Sequence, residues 1–376
     1  MEKIKSKKIK ILIATPLYPP EIGGPATYVR FLEENLPKDQ FSLRIVKFSE
    51  VKKLPYIIRH IVFFWMVFKR SKGGDIIYAL DPLGVGLPSG LAAKLRGKKF
   101  LLRIAGDRAW ETAVQKWKIT DSLDNFSVKK SYPIFLRILK FAQTCTAKMA
   151  WKIIVPGKYL SGIVSSWGIP HAKIFSIYNA FSPVSMNISK DEIRKELGLS
   201  GFIIVSAGRL VPWKGFATLI QTMPEILKEI PDAKLYIIGD GPDKQKLRSI
   251  VQFLNLEKSV RFTGVLPKSE LHRYIKSADV FALNTSYEGF SHQILEAMSL
   301  STPVITTTSG GNPEMIESGV GGLLVTHDDA RAFASSIILL SMTKEYSAML
   351  AQKAKEKSET FNVIRAVSEF MEVLHI

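Results

Sequence analysis

The chain alternates short β-branched or apolar runs with amphipathic stretches, and it completes that pattern twice. In the first half IKILIATP, FSLRIVKFS, DIIYAL, KFLLRIA and WKIIVPG read as strands, with helical stretches such as TYVRFLEENL and LPSGLAAKLRG between them. In the second half the strands are GFIIVSAGR, AKLYIIGDG, VRFTGVL, VFALNTS and TPVITTTS, separated by helical stretches such as SHQILEAMSL. Alternation of this kind demands parallel sheets with helices on both faces. At 376 residues the chain is long for one α/β domain and suits two. The expected division is 1–185, then 186–345, then a helical tail over 346–376 that packs back toward the first domain. The join falls near Asn179–Lys190, a Ser-, Asn- and Pro-containing stretch without a clear period.

The single cysteine, Cys145, rules out an internal disulfide framework and suits a reducing compartment; it reads as a packed residue. The apolar run after the basic start MEKIKSKKIK is short and broken by prolines, which fits a first strand better than a signal peptide. The most apolar stretch elsewhere, from Leu54, is interrupted by Arg59 and His60, so no membrane span is expected. The net charge of +18 is one-sided: residues 1–185 balance at +19 and residues 186–376 at −1. The first half is therefore expected to meet something anionic, nucleic acid or anionic lipid.

In open α/β sheets ligands bind beyond the carboxyl ends of the strands, so the loops there carry the chemistry. In SAGRLVPWKGF, Gly208-Arg209 and Lys214-Gly215 follow a strand. An arginine fork and a mobile lysine charge suit a diphosphate, although two solvated cations beside a turn would read the same. In YEGFSHQILEAMSL, Glu288 lies on a loop and Glu296 on the following helix. A helix starting near Ser291 offers free N–H groups to a phosphate. A carboxylate one turn further suits vicinal ribose hydroxyls; the competing reading of Glu296 is a solvated helix carboxylate. Gly23-Gly24 follows the first strand without the G-x-G-x-x-G fingerprint, and also reads as a plain tight turn.

Together with IIGDGP at Ile237–Pro242, FTG at Phe262–Gly264, the E-x7-E spacing of Glu288 and Glu296, LEAMSLSTPVI and GGNPEMIESGVGGLLV, these motifs strongly resemble the donor domain of retaining glycosyltransferases of the GT4 family. The resemblance is tight over Ile177–Val325 and looser beyond. It implies the GT-B fold, two Rossmann-like domains facing each other across a cleft. It implies a nucleotide-diphosphate-sugar donor whose diphosphate is neutralised by Arg209 and Lys214. Glu296 would hold the ribose, Glu288 the transferred sugar, and the backbone N–H groups of Phe290, Ser291 and His292 would lie near the donor. Gly208 belongs to the same donor loop, Asp240 and Gly241 lie where the base is expected, and Gly23 and Gly24 form the opposing wall. No cofactor is implied, the nucleotide sugar being a co-substrate. No D-x-D triplet occurs and the six histidines lack metal-ligand spacing, so no metal is expected.

One departure stands out. Many relatives carry a histidine after the strand corresponding to Lys99–Ala105, where this chain has Gly106-Asp107. Asp107 is expected to take a related role, with Arg108, Trp110 and Glu111 lining an acceptor side; the alternative is an Asp107 that simply caps the next helix. An epimerase or phosphorylase of the same fold is the competing activity, and a basic nucleic-acid-binding protein a more distant one, since no nucleic-acid motif appears. The +19 half contains Ile57–Arg70 and Val128–Gln143, where cations flank apolar residues. In the second, Phe135, Ile138, Leu139 and Ala142 share a helical face with Arg137 and Lys140 at its edges. Either stretch reads as a helix packed on a sheet or as one lying in a headgroup plane. The expectation is a cytoplasmic enzyme, peripheral at the inner face of the cell membrane, with a glycan or lipid-linked acceptor and no nucleic-acid partner.

Overall fold

The computed structural model describes residues 8–21 and 23–375. The basic opening at 1–7, Ile22 and the final Ile376 lie outside the described residues. The chain divides into two units, one formed by residues 1–180 with 363–376 and the other by 181–362.

The first unit opens with β1 (Ile9–Thr15), α1 (Gly24–Asn35), β2 (Phe41–Lys47), α2 (Tyr56–Arg70) and β3 (Ile76–Ala79). It continues with α3 (Gly86–Arg96), β4 (Lys99–Arg103), α4 (Arg108–Trp117), α5 (Leu123–Val128) and α6 (Ile134–Met149). β5 (Lys152–Val155), α7 (Lys158–Ser166) and β6 (Ile174–Ser176) complete its sheet. All its strand pairings are parallel, in the order β2-β1-β3-β4-β5-β6. Strands β3 and β5 are buried along their whole length, as a sheet covered on both faces requires.

The second unit runs α8 (Lys190–Leu197), β7 (Ile203–Ala207), α9 (Phe216–Glu229), β8 (Lys234–Ile238), α10 (Lys244–Phe253) and β9 (Val260–Gly264). Then come α11 (Lys268–Ser277), β10 (Val280–Leu283), α12 (His292–Ser299), β11 (Val304–Thr307), α13 (Asn312–Met315) and β12 (Leu323–Val325). It ends in α14 (Ala330–Met342) and α15 (Lys344–Glu359). Its parallel sheet has the order β12-β11-β10-β7-β8-β9. Ile204, Leu235, Ile237 and Val280 of the sheet pack with Phe216, Leu219 and Met223 of α9 and Phe333 and Ile337 of α14.

The last helix, α16 (Val363–His375), belongs to the first unit. Phe370 and Val373 join Ile11, Ile13, Tyr78 and α1 residues Val29 and Leu32 in one core. The Lys152 ammonium at the start of β5 donates to the Val373 carbonyl at 2.9 Å. Thus α1 and α16 share a core, while α2 lies beside α3 and α3 beside α6.

In each sheet the strand order reverses once, between β1 and β3 in the first and between β7 and β10 in the second. Loops leaving two adjacent strands in opposite directions open a crevice there. The Gly23-Gly24 turn follows β1, the Gly208–Gly215 loop follows β7, and the Asn284–Ser291 loop follows β10.

Candidate functional site

The second unit's switch point is built by close backbone packing of its loops. Gly208 donates its N–H to the Ile238 carbonyl at 2.9 Å, Leu210 to Asp240 at 3.0 Å, and Asp243 to Leu210 at 3.1 Å. A Cβ at Gly239 or Gly241 would overlap the carbonyls of Gly208 and Leu210, so glycine is needed where these loops touch. Asp240 and Gly241 are thereby set beside the Gly208–Leu210 turn. The Asp240 carboxylate is exposed; a hydrogen bond from Lys244 at 2.8 Å and one from the Gly241 N–H hold it below the usual carboxylate range. Arg209 is exposed and makes no ion pair among the described residues.

Lys214 ends a short 3₁₀ turn, Pro212–Lys214, closed by Gly215 in the left-handed conformation at φ 61°. A Cβ there would meet the Asn284 carbonyl. The Ser286 N–H donates to the Trp213 carbonyl at 2.8 Å, and the Thr285 hydroxyl to the same carbonyl at 2.9 Å. These bonds fasten the loop after β7 onto the loop after β10. The result joins residues far apart in the chain: the Lys214 ammonium is in direct ion-pair contact with Glu288 Oε1, each side chain only 12% exposed. A pair so poorly solvated holds its charges at a fixed place, since separating them would leave either one without a partner.

The Glu288 loop rests on Gly310 and Gly311, where a Cβ would strike the backbone of Glu288 and Gly289. The Gly311 N–H donates to the Glu288 carbonyl at 2.7 Å. Phe290 is buried edge-on against Phe361, with ring centroids 5.1 Å apart. Ser291 is buried at the N-cap position of α12 with no side-chain cap, and His292 begins the helix. The helix therefore starts where expected, with its positive end beside Glu288 and the Gly289 backbone.

Glu296, one turn into α12, is 5% exposed, which removes the reading of a solvated carboxylate. Its Oε1 lies 3.4 Å from the Lys268 ammonium and 3.4 Å from Nε2 of His272, both on α11. Burial raises its pKa, but the His272 imidazole and the positive field of Lys268, His272 and His292 outweigh that and hold it below the usual glutamate range. Its second oxygen, Oε2, is buried without a hydrogen-bond partner among the described residues. A charged, buried acceptor with an unused oxygen is costly, and hydroxyl donors would relieve it. His272 and Lys268 were not singled out in the sequence; no local pattern links KSELH to a glutamate on the next helix.

The first unit's candidates lie on two loops. Gly23 precedes α1 at φ 156°, and a Cβ there would press on Leu17 Cδ1 at 2.6 Å; Gly24 has open space around it. Asp107 is buried, and its carboxylate accepts from the Trp110 N–H at 2.9 Å, capping α4. Burial pushes its pKa up, against hydrogen bonds from Trp110 and Gln143. Trp110 departs from the expected acceptor-side position. Its ring is in the core and its indole N–H donates to the Asp121 carbonyl at 2.9 Å. Arg108 is exposed and pairs at 3.2 Å with Glu111, whose pKa burial raises. The pieces expected in the second unit thus fall into three groups: Gly208 with Asp240 and Gly241, Lys214 with Glu288, and Glu296 with His272 and Lys268.

Residues 189–357 match the family model of the Glycosyl transferases group 1 domain. The chain is 33% identical over 227 residues to an uncharacterized glycosyltransferase of Methanocaldococcus jannaschii, covering 56% of this chain and 58% of that protein. It is 28% identical over 180 residues to the lipopolysaccharide core biosynthesis glycosyltransferase LpsE of Rhizobium meliloti, covering 48% and 51%. It is 32% identical over 157 residues to the GDP-mannose-dependent alpha-(1-6)-phosphatidylinositol monomannoside mannosyltransferase of Mycolicibacterium smegmatis, covering 40% and 41%. The chain spans about half the length of the curated relatives it matches. Among solved structures, Anabaena HepE in complex with UDP-glucose is similar with a TM-score of 0.76 at 18% identity, covering 97% of this chain and 99% of that one. Sucrose-phosphate synthase from Thermosynechococcus elongatus is similar with a TM-score of 0.78 at 19% identity, covering 98% of each. The fold is GT-B, with two parallel six-stranded sheets.

Proposed function

We propose that this chain is a retaining, metal-independent glycosyltransferase that takes a sugar from a nucleotide-diphosphate donor. The observation that carries the reading is the Lys214–Glu288 pair, set by interlocked loops at the switch point of the second sheet, at the start of α12. A lysine and a helix N-terminus serve a diphosphate, and a fixed carboxylate serves sugar hydroxyls. Exposed Arg209 adds the second cation, and the unused oxygen of Glu296 suits a ribose diol. The UDP-glucose bound in the HepE structure supports a nucleotide-sugar donor.

In the proposed reaction an acceptor oxygen bonds to the anomeric carbon as the bond from that carbon to the donor phosphate oxygen breaks. The electron pair leaves with the diphosphate, and the acceptor's proton passes to a phosphate oxygen on the same face, which retains configuration. Charge builds on the leaving diphosphate, where Arg209, Lys214 and the α12 N-terminus lower the barrier. Glu288, neutralising Lys214 in this structure, passes its interaction to the transferred sugar when phosphate takes the lysine. We place the acceptor among lipid-linked or membrane-proximal glycans of cell-surface assembly, met at the cytoplasmic face of the membrane. Relatives named for lipopolysaccharide core and for a phosphatidylinositol monomannoside support that class. Arg209→Ala and Lys214→Ala should each lower transfer about a hundredfold, the usual effect of losing one preorganised electrostatic contact. Near wild-type turnover in both folded variants would overturn the assignment.

A further inference from the structure

The layer of α2, α3 and α6 is apolar on the side turned away from its own core. α2 buries Phe63 and Val67 yet exposes Ile57, Ile61 and Trp65, spaced four residues apart, with Ile57 72% exposed. α3 exposes Leu91 and Leu95 with the same spacing. α6 exposes Ile134, Ile138 and Phe141, the last 71% exposed. Since α2 lies beside α3 and α3 beside α6, the three stripes belong to one layer. Isolated exposed apolar residues are ordinary, but neighbouring stripes mark an interaction surface.

The charge of this layer selects its partner. The three helices contain eight Lys or Arg and no Asp or Glu. Each stripe carries a cation at helical spacing: Lys69 four residues after Trp65, Lys94 three after Leu91, and Arg137 and Lys148 in line with Ile134 and Phe141. All four cations are exposed and make no ion pair among the described residues. A second copy of this surface would set cations against cations. Nucleic acid would match the charge but give the apolar stripes nothing to enter. An anionic leaflet matches both, with phosphates at the cations and acyl chains at the stripes, and with Trp65 at headgroup depth.

We propose that the outer face of α2, α3 and α6 is a docking surface for an anionic lipid leaflet. It deepens, and rests on, the reading of a membrane-proximal acceptor. The surface differs from the one expected on α6. Phe135 and Ile138 are exposed as expected, but Leu139 and Ala142 are half-buried and Lys140 turns inward to donate to the carbonyls of Phe126 and Lys129, so the exposed apolar residues are Ile134, Phe135, Ile138 and Phe141.

The test is flotation of the full chain with phosphatidylcholine vesicles, with and without phosphatidylglycerol, in the absence of donor and acceptor. Failure here therefore leaves the donor site standing. Wild type should float with the anionic vesicles at low salt, lose binding as salt rises, and stay down with neutral ones. Lys69→Glu, Lys94→Glu, Arg137→Glu and Lys148→Glu together should lower partitioning at least a hundredfold, at about fivefold per cation removed. Ile61→Ser with Phe141→Ser, both at exposed positions, should lower it at least tenfold with circular dichroism unchanged. Wild type left wholly in the dense fraction, variants that float as well as wild type, or a dimer that these substitutions dissociate would each overturn the proposal.

Discussion

The contact that most defines the second unit is between single residues 74 apart in the chain, Lys214 and Glu288. Neither side chain is placed by its own loop alone. Gly215 lets the first loop lie on the Asn284 carbonyl, and Gly311 holds the second by its Glu288 carbonyl. Glu296 has different partners, His272 and Lys268, so the roles proposed for the two glutamates can be tested separately. Glu296→Ala should weaken binding of a bare nucleoside diphosphate at least tenfold in calorimetry. Glu288→Gln should leave that affinity within about threefold while impairing transfer, and equal losses would remove the division of labour. Because the Glu296 pKa is depressed in the folded chain, its carboxylate stays charged as pH falls through the ordinary glutamate range near about 4.3. The stability it contributes is full above that range and is lost as pH falls through the lower folded value. Nucleotide affinity should follow the same course.

Among the elements, α4 shows how a short sequence signal can carry two meanings. Asp107 after β4 was expected to serve a substrate, with a helix cap as the alternative, and the structure gives it the cap. Asp107→Ala should cost about 1 kcal/mol of stability in urea denaturation. Asp107→Asn keeps a capping oxygen without a buried charge and should match or exceed wild type. Loss of turnover in a stable Asn variant would restore a catalytic role. The ten strands marked in the sequence all appear, because each is an apolar or β-branched run of four to seven residues set off by a helical stretch. β6 and β12 were missed: each has three residues at a sheet edge, too few to show a period. On α6 the exposed face holds Phe135 and Ile138 as expected but not Leu139 and Ala142, and spacing alone does not reveal that Lys140 is drawn inward by the carbonyls at the end of α5. The start of α12 and the positions of Gly208, Lys214 and Glu288 were legible because glycines and charges at strand ends mark loops. The partners of Glu296 were not, because they arise from the packing of α11 against α12.

At the scale of the whole molecule, the chain joins a basic first half to a second half that is nearly neutral. Apolar stripes bearing cations belong to the first unit, and the interlocked loops around Lys214 and Glu288 to the second. Among the described residues no helix is long and apolar enough to cross a membrane. Transfer should survive excess EDTA, since Arg209, Lys214 and the α12 N-terminus supply the charge that a metal would otherwise bring. Abolition by EDTA with rescue by magnesium or manganese would contradict this. Calorimetric titration of the purified chain with a panel of nucleotide-diphosphate sugars checks the proposal that the second unit holds one of them. One base and sugar should bind in the micromolar range, with slow release of nucleoside diphosphate, and binding should drop at least tenfold in Lys214→Ala. Absence of binding across the whole panel, or binding unchanged in Lys214→Ala, would contradict it.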